Sequence, residues 1–376
     1  MEIKMVDLLG QYQGIKGEVD EAIQSVITDS AFIKGKYVNS FSEELAAYLN
    51  VKHVIPCGNG TDAIQLALMA LDYERGSEVI TTPFTFVATA EVIALLGLKP
   101  VFVDIDPKTF NIDPEKIKQA ITSKTKCIIP VHLFGQSCDM KDILTIAQEH
   151  NLHVIEDNAQ AIGAWYNLDG RQTKTGTMAD IGTLSFFPSK NLGCYGDGGA
   201  VMTNDDTLAA KIEKYSNHGS SKKYIYETVG INSRLDGLQA AILSVKLKYL
   251  DQYISSRQSA AARYDNLLAN IPGLILPYRA ESRNHVFHQY TLTLEAGRDD
   301  LHQYLKSKGV PSGIYYPMPL HIQKPYLDIS SGAPVHLENA EKLAKQVISL
   351  PMHTELNEDM QTTIAANVKE HMALLA

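Results

Sequence analysis

Short apolar runs alternate with helical patterns through the first two thirds of the chain, and this alternation limits the possible folds more than any other feature. His53–Cys57 is such a run; it ends in Gly58-Asn59-Gly60-Thr61, and a helical pattern follows through Ile64, Leu66, Ala67, Met69, Ala70 and Leu71. Glu78–Thr81, Pro100–Asp104, Cys127–Val131 and His153–Asp157 read as further strands, with helices expected near Ala88–Leu96, Pro114–Ile121 and Met140–His150. Strands and helices in this rhythm build a parallel sheet covered on both faces. Two more β candidates, Thr183–Phe187 and Gly199–Thr203, precede helices expected near Thr207–Tyr215 and over Asp236–Leu268.

The last third has another texture. Val286–Leu294 is β-rich, while Asp299–Lys308, Leu337–Ile348 and Glu358–Leu375 read as helices. The expectation is an α/β chain: a large, mainly parallel-sheet domain over residues 1–250 with an N-terminal helical segment, then a small α+β domain over 251–376. A chain of 376 residues can bury a core of that size.

Composition narrows the function classes. The formal net charge of −9 argues against a general binder of nucleic acid or anionic membrane. The N-terminus lacks an apolar core of signal-peptide length. The most apolar stretch, Val87–Val103, is broken by Thr89, Glu91, Gly97, Lys99 and Pro100, so no membrane-spanning helix is expected. Cys57, Cys127, Cys138 and Cys194 are scattered without a CxxC pair, which reads as reduced core thiols in a cytoplasmic protein with no metal centre.

Three segments carry chemistry. Pro56–Asp62 joins a strand to a helix through glycines, so backbone amides at Gly60 and Thr61, with the Thr61 hydroxyl, can hold a phosphate at the helix N-terminus. A plain strand–helix turn capped by Thr61 or Asp62 is the competing reading. Asp157 closes a central strand at its carboxyl end, the edge where ligands collect in open α/β sheets. A carboxylate there can pair with a protonated pyridine nitrogen, with Gln160 donating to an oxygen of the same ring. A magnesium ligand, a helix cap for Asn158–Gly163 and a surface acid stay open at this point. Ser185–Gly199 places a single lysine, Lys190, between Phe186-Phe187-Pro188 and a loop with four glycines. A nucleophilic lysine needs a desolvated setting that lowers its pKa, and the aromatic flank can supply one. An exposed loop lysine is the alternative.

In this order, the motifs resemble the DegT/DnrJ/EryC1/StrS sugar aminotransferases of pyridoxal 5'-phosphate (PLP) fold type I. The resemblance rests on Gly58–Ala63, Pro83–Thr89, Val154–Gln160, Ser185–Ala200, Asn217–Ser220, Gly230–Asp236 with Gln239–Ala241, and Tyr316–His321, and spans nearly the whole chain. It implies that Lys190 forms the Schiff base with PLP and that Asp157 pairs with the pyridinium nitrogen. Gln160 would meet the ring hydroxyl, Phe86 would stack on the ring, and Gly60, Thr61 and Ser185 would hold the phosphate. Asn232 would reach the phosphate of a neighbouring subunit's cofactor, which implies a homodimer. His218, Arg234, Tyr316 and His321 are candidate substrate contacts, with structural hydrogen bonding, or pairing of Arg234 with Asp236, as the alternative.

The implied reaction passes an amino group from L-glutamate through pyridoxamine phosphate to a keto group, at C3, of a UDP- or dTDP-linked sugar, for surface-polysaccharide or amino-sugar synthesis. Amination at C4 uses the same catalytic residues and is the first alternative. A PLP-dependent sugar dehydratase is disfavoured because such relatives carry histidine where this chain has Lys190. A non-catalytic regulatory protein on the same fold is the alternative of another class.

Overall fold

The computed structural model describes residues 2–327, 329 and 336–375. The chain opens with α1 (Leu8–Thr28), α2 (Lys36–Leu49), β1 (His53–Cys57), α3 (Gly60–Leu71), β2 (Glu78–Thr81), α4 (Ala88–Leu95), β3 (Lys99–Phe102), α5 (Pro114–Ala120), β4 (Thr125–Ile129), α6 (Met140–His150) and β5 (His153–Asp157). Next come β6 (Trp165–Leu168), β7 (Arg171–Lys174), β8 (Ile181–Ser185), β9 (Gly199–Thr203), α7 (Asp206–Ser216), β10 (Ser220–Lys222), β11 (Ile225–Tyr226), α8 (Gly237–Leu247) and α9 (Leu250–Leu268). The remainder is β12 (Leu274–Ile275), β13 (Tyr290–Leu294), α10 (Arg298–Ser307), α11 (Lys324–Leu327), α12 (Glu338–Ala344), β14 (Val347–Leu350) and α13 (Glu358–Leu375).

The main sheet has seven strands in the order β1-β9-β8-β5-β4-β2-β3. From β3 to β8 neighbouring strands are parallel, as the strand–helix alternation requires. Only β9 runs against its neighbours, β8 and β1. The carboxyl ends of β1, β2, β4, β5 and β8 therefore share one edge of the sheet, and the amino end of β9 meets them there. Every position of β2 and β9 is buried, the signature of strands covered on both faces.

A second, antiparallel sheet, β12-β13-β14, has its own core, in which Tyr264 of α9, Tyr290 of β13, Leu301 of α10, Ile348 of β14 and Val368 of α13 meet. The first turns of α9 pack elsewhere: Leu250 and Ile254 join the core of Phe41, Phe186 and Leu243 beside the main sheet. Among the described residues no helix is long and apolar enough to cross a membrane.

Two expectations need correction. Asp236–Leu268 is not one helix but α8 and α9, separated where the Lys248 and Tyr249 amides bond three residues back, to Val245 and Lys246, at 3.3 and 3.1 Å. No glycine or proline marks that break; α8 packs on α1 through Ile242 and Val245, while α9 turns toward the second core. The helix expected over Leu337–Ile348 stops at Ala344, and Val347–Leu350 is a strand because β13 offers it a full antiparallel ladder. Within Val286–Leu294, only Tyr290–Leu294 is strand.

Candidate active site

The edge where the parallel strands end gathers the three segments singled out in the sequence. At the end of β1, Asn59 caps α3: its side chain accepts the Asp62 amide at 2.8 Å and its carbonyl accepts the Ala63 amide at 3.1 Å. The cap is thus Asn59, not Thr61 or Asp62. Among the described residues the amides of Gly60 and Thr61 have no partner, and they open the helix toward an anion. Ser185, at the end of β8, lies against them; a Cβ on Gly60 would sit 2.6 Å from that of Ser185. Asp62 points instead to Ser233, whose hydroxyl donates to it at 2.6 Å and accepts the Gly58 amide at 2.9 Å. This bridge ties the cradle to the loop that carries Asn232 and Arg234.

Asp157 ends β5 and is buried. One carboxylate oxygen accepts the Thr89 hydroxyl at 2.8 Å and the other the Ala159 amide at 3.1 Å. No helix follows over Asn158–Gly163, so the helix-cap reading falls. Among the described residues no group of three or more acidic, histidine or cysteine side chains suited to a metal ion occurs, and both Asp157 oxygens are already taken by the Thr89 hydroxyl and the Ala159 amide. The neighbouring Glu156 faces the other way. Wholly buried, it takes His132 Nε2 at 2.9 Å and the amides of Gly176, Met178 and Ala179 at 2.7, 2.7 and 2.9 Å. The Cys138 amide donates to His132 Nδ1 at 3.0 Å, so that nitrogen is bare and Nε2 carries the proton donated to Glu156. This network locks the strand end from which Asp157 projects.

Lys190 follows β8 in a turn closed by its own amide on the Phe187 carbonyl and by the Cys194 amide on the Phe186 carbonyl, both at 2.8 Å. A Cβ at Gly193 would lie 2.3 Å from the Pro188 carbonyl oxygen, so only glycine lets the turn close. Phe186 is turned into the core against Phe41 and anchors the strand, leaving Phe187 as the exposed ring. Lys190 is not the exposed lysine of the alternative reading. Burial lowers its amine from 10.5 to about 8, partly opposed by the negative charge of Asp157 nearby.

Gln160 accepts the Phe134 amide at 2.7 Å and donates to the Tyr316 hydroxyl at 3.2 Å, which joins Tyr316 to the group around Asp157. Burial is the main cause raising the Tyr316 phenol, with Asp157 adding to the rise. Phe86 is 56% exposed in the segment between β2 and α4. His218 and Asn232 are exposed on adjoining strands of one loop, held by the His218 amide on the Ile231 carbonyl at 2.9 Å. Among the described residues Arg234 makes no ion pair, with Asp236 or otherwise. His321 is buried with Nε2 3.2 Å from Glu341 and, among the described residues, with Nδ1 unpartnered, and burial lowers its pKa.

Three participants escaped the sequence reading. Thr89 and Ser233 act through side-chain direction, which a motif does not reveal. His288 is a buried imidazole held well below its ordinary range by burial and then by the charges of Lys190 and Arg257. Its only sequence signal is a histidine inside a β-rich run. Together the site offers a neutral-leaning amine, a fixed buried carboxylate, an open anion cradle and an exposed aromatic face. That set suits covalent capture of a carbonyl on a flat, anionic, nitrogen-containing ring.

Comparison with known proteins follows the same lines. A family model described as the DegT/DnrJ/EryC1/StrS aminotransferase family matches residues 13–369. A pleiotropic regulatory protein of Geobacillus stearothermophilus is 49% identical over 372 residues, covering 98% of each chain. The UDP-2-acetamido-2-deoxy-3-oxo-D-glucuronate aminotransferase of Pseudomonas aeruginosa is 44% identical over 355 residues, 94% of this chain and 96% of its own. Among solved structures, S. venezuelae DesV in complex with a ketimine intermediate matches with a TM-score of 0.93 at 37% identity, covering 99% of this chain and 98% of that one.

Proposed function

The chain belongs to the DegT/DnrJ/EryC1/StrS aminotransferase family, whose members depend on PLP, and from that premise we propose that it moves an amino group from L-glutamate to the C3 keto group of a UDP- or dTDP-linked sugar. The observation that carries the reading is Lys190, an amine lowered to about 8 near the buried carboxylate of Asp157.

The residues present fit PLP. Gly60, Thr61 and Ser185 would hold its phosphate, Asp157 its pyridine nitrogen, Gln160 its ring hydroxyl and Phe86 its ring face. When bound, PLP supplies an electron sink for the pair released as a C–H bond beside nitrogen breaks. Lys190 Nζ, displaced by the incoming amine, would take that proton and return it to the carbon on the other side of the same nitrogen. Its lowered pKa suits both directions of transfer near neutral pH. Asp157, fixed by Thr89 and Ala159, would keep a proton on the pyridine nitrogen. The Gln160–Tyr316 bond holds one wall of the site and places the Tyr316 hydroxyl for substrate.

The active unit in this reading is a cytoplasmic homodimer in which Asn232 reaches the neighbouring subunit's phosphate site. His218 and Arg234 approach substrate on the same loop, and the free guanidinium of Arg234 suits a sugar carboxylate or a diphosphate. His321 completes the group through its unpartnered nitrogen. The product would feed surface-polysaccharide or amino-sugar synthesis. C3 is favoured over C4 by the name of the P. aeruginosa relative, a 3-oxo-sugar aminotransferase. A regulatory role is favoured by the name of the G. stearothermophilus relative and by that of a sensory transduction protein of Saccharopolyspora erythraea, 37% identical over 369 residues, but it leaves Lys190, Asp157 and the cradle without a purpose.

The test is a panel of UDP- and dTDP-linked 3-keto and 4-keto sugars with glutamate, followed by NMR of the product. Amination at C3 with stoichiometric 2-oxoglutarate is expected. Turnover of 4-keto sugars alone would overturn the regiochemistry, and no turnover of any would favour the regulatory reading.

A further inference from the structure

Beside the half-buried Lys190, another lysine near the large sheet is wholly buried. Lys246 lies in the last turn of α8, and its Nζ donates to the Gly193 carbonyl, three residues beyond Lys190. The same ammonium sits 5.0 Å from the centroid of the Tyr195 ring. Two turns earlier on the same face of α8, Gln239 takes both backbone groups of Tyr195, accepting its amide at 2.8 Å and donating to its carbonyl at 3.3 Å. Within the turn, Asn191 donates to the Val286 carbonyl at 3.0 Å. The segment that follows Lys190 is therefore held at Asn191, Gly193 and Tyr195 by side chains that belong to or reach other elements.

Lys246 is an expensive choice for a purely structural post. Among the described residues no carboxylate pairs with it, and burial lowers its amine to about 8. A buried ammonium without a counter-ion is disfavoured against an apolar side chain of the same length. What lysine adds over methionine is an ammonium, which lies over the Tyr195 ring and donates to the Gly193 carbonyl. At Gly193 the turn already passes so close to Pro188 that its path has no slack.

We propose that Lys246 is a positioning residue for Lys190: its bond to the Gly193 carbonyl fixes the turn from which the Lys190 amine reaches its carbonyl partner. The inference rests on the PLP reading above. It acts through the covalent step and not through the phosphate cradle, so it must vanish when Lys190 is absent.

A double-mutant cycle tests this. PLP affinity is measured by absorbance and fluorescence titration for the full-length wild type, Lys246→Met, Lys190→Ala and the double variant. Lys246→Met should weaken PLP at least about tenfold when Lys190 is present and less than about twofold in the Lys190→Ala background. Lys246→Arg, which keeps a long cationic donor, should recover most of the loss. Equal losses in both backgrounds, or no loss in either, would overturn the proposal. If Lys246→Met does not melt cooperatively, Lys246→Gln, an uncharged donor too short to reach Gly193, takes its place in the same cycle with the same two outcomes. A wild type that develops no visible band with PLP removes the premise and the proposal with it. A wild type with the band but no coupling removes the proposal alone.

Discussion

At the residue scale, the chemistry turns on how far the protein moves one amine. An ordinary lysine at 10.5 is almost wholly protonated near neutrality, whereas Lys190, lowered to about 8, is neutral in roughly one molecule in ten at pH 7. The neutral form is the nucleophile, so the rate at which the cofactor-free protein captures PLP should climb about tenfold per pH unit and level off near pH 8. Stopped-flow absorbance measures this directly; a rate still climbing above pH 10 would mean that burial does not lower this amine. The lysine stood out in the sequence because it lay between aromatics and glycines. Its burial and the nearness of Asp157 did not, since both depend on strands far apart in the chain.

Elements explain why the site is rigid. Asp157 can hold a fixed position because its neighbour on β5, Glu156, is clamped by three backbone amides and by His132. Glu156→Ala strands all four donors in the interior and should cost about 3–5 kcal/mol of stability, read from urea unfolding. A loss below about 1 kcal/mol would show that water or a rearranged loop satisfies them. Strands inside the main sheet were legible because burial on both faces forces apolar runs: β2, β5 and β9 begin and end where those runs do. Pieces governed by partners were not. β14 exists because β13 is beside it, and the α8–α9 break carries no glycine or proline. The β6–β7 hairpin did have a local signal, Asp169-Gly170, with both residues at positive φ, which the reading passed over.

For the whole molecule, the proposed dimer makes a claim that no single chain can satisfy. If Asn232 serves the neighbour's site, then Lys190→Ala and Asn232→Ala proteins are each impaired, but a mixed dimer holds one site with both defects and one intact. Unfolding and refolding the two together should restore activity to about a quarter of wild type, since half the dimers are mixed and each has one intact site. No recovery would place Asn232 in its own subunit's site. The cradle, the acid and the lysine could be found by motif, whereas the division of labour between subunits was legible only through family resemblance. Exposed loop residues such as His218 and Asn232 show no purpose within one chain.

The central claim, that Lys190 holds PLP for amino transfer, meets its most direct test in a single half-reaction. Purified protein loaded with PLP is mixed with L-glutamate while its absorbance is followed and 2-oxoglutarate is assayed. The account predicts that the visible band is replaced by that of pyridoxamine phosphate, with one 2-oxoglutarate per site, and that Lys190→Ala shows neither change. A protein that takes up no PLP, or whose band is untouched by glutamate and by every other amino donor, would contradict it.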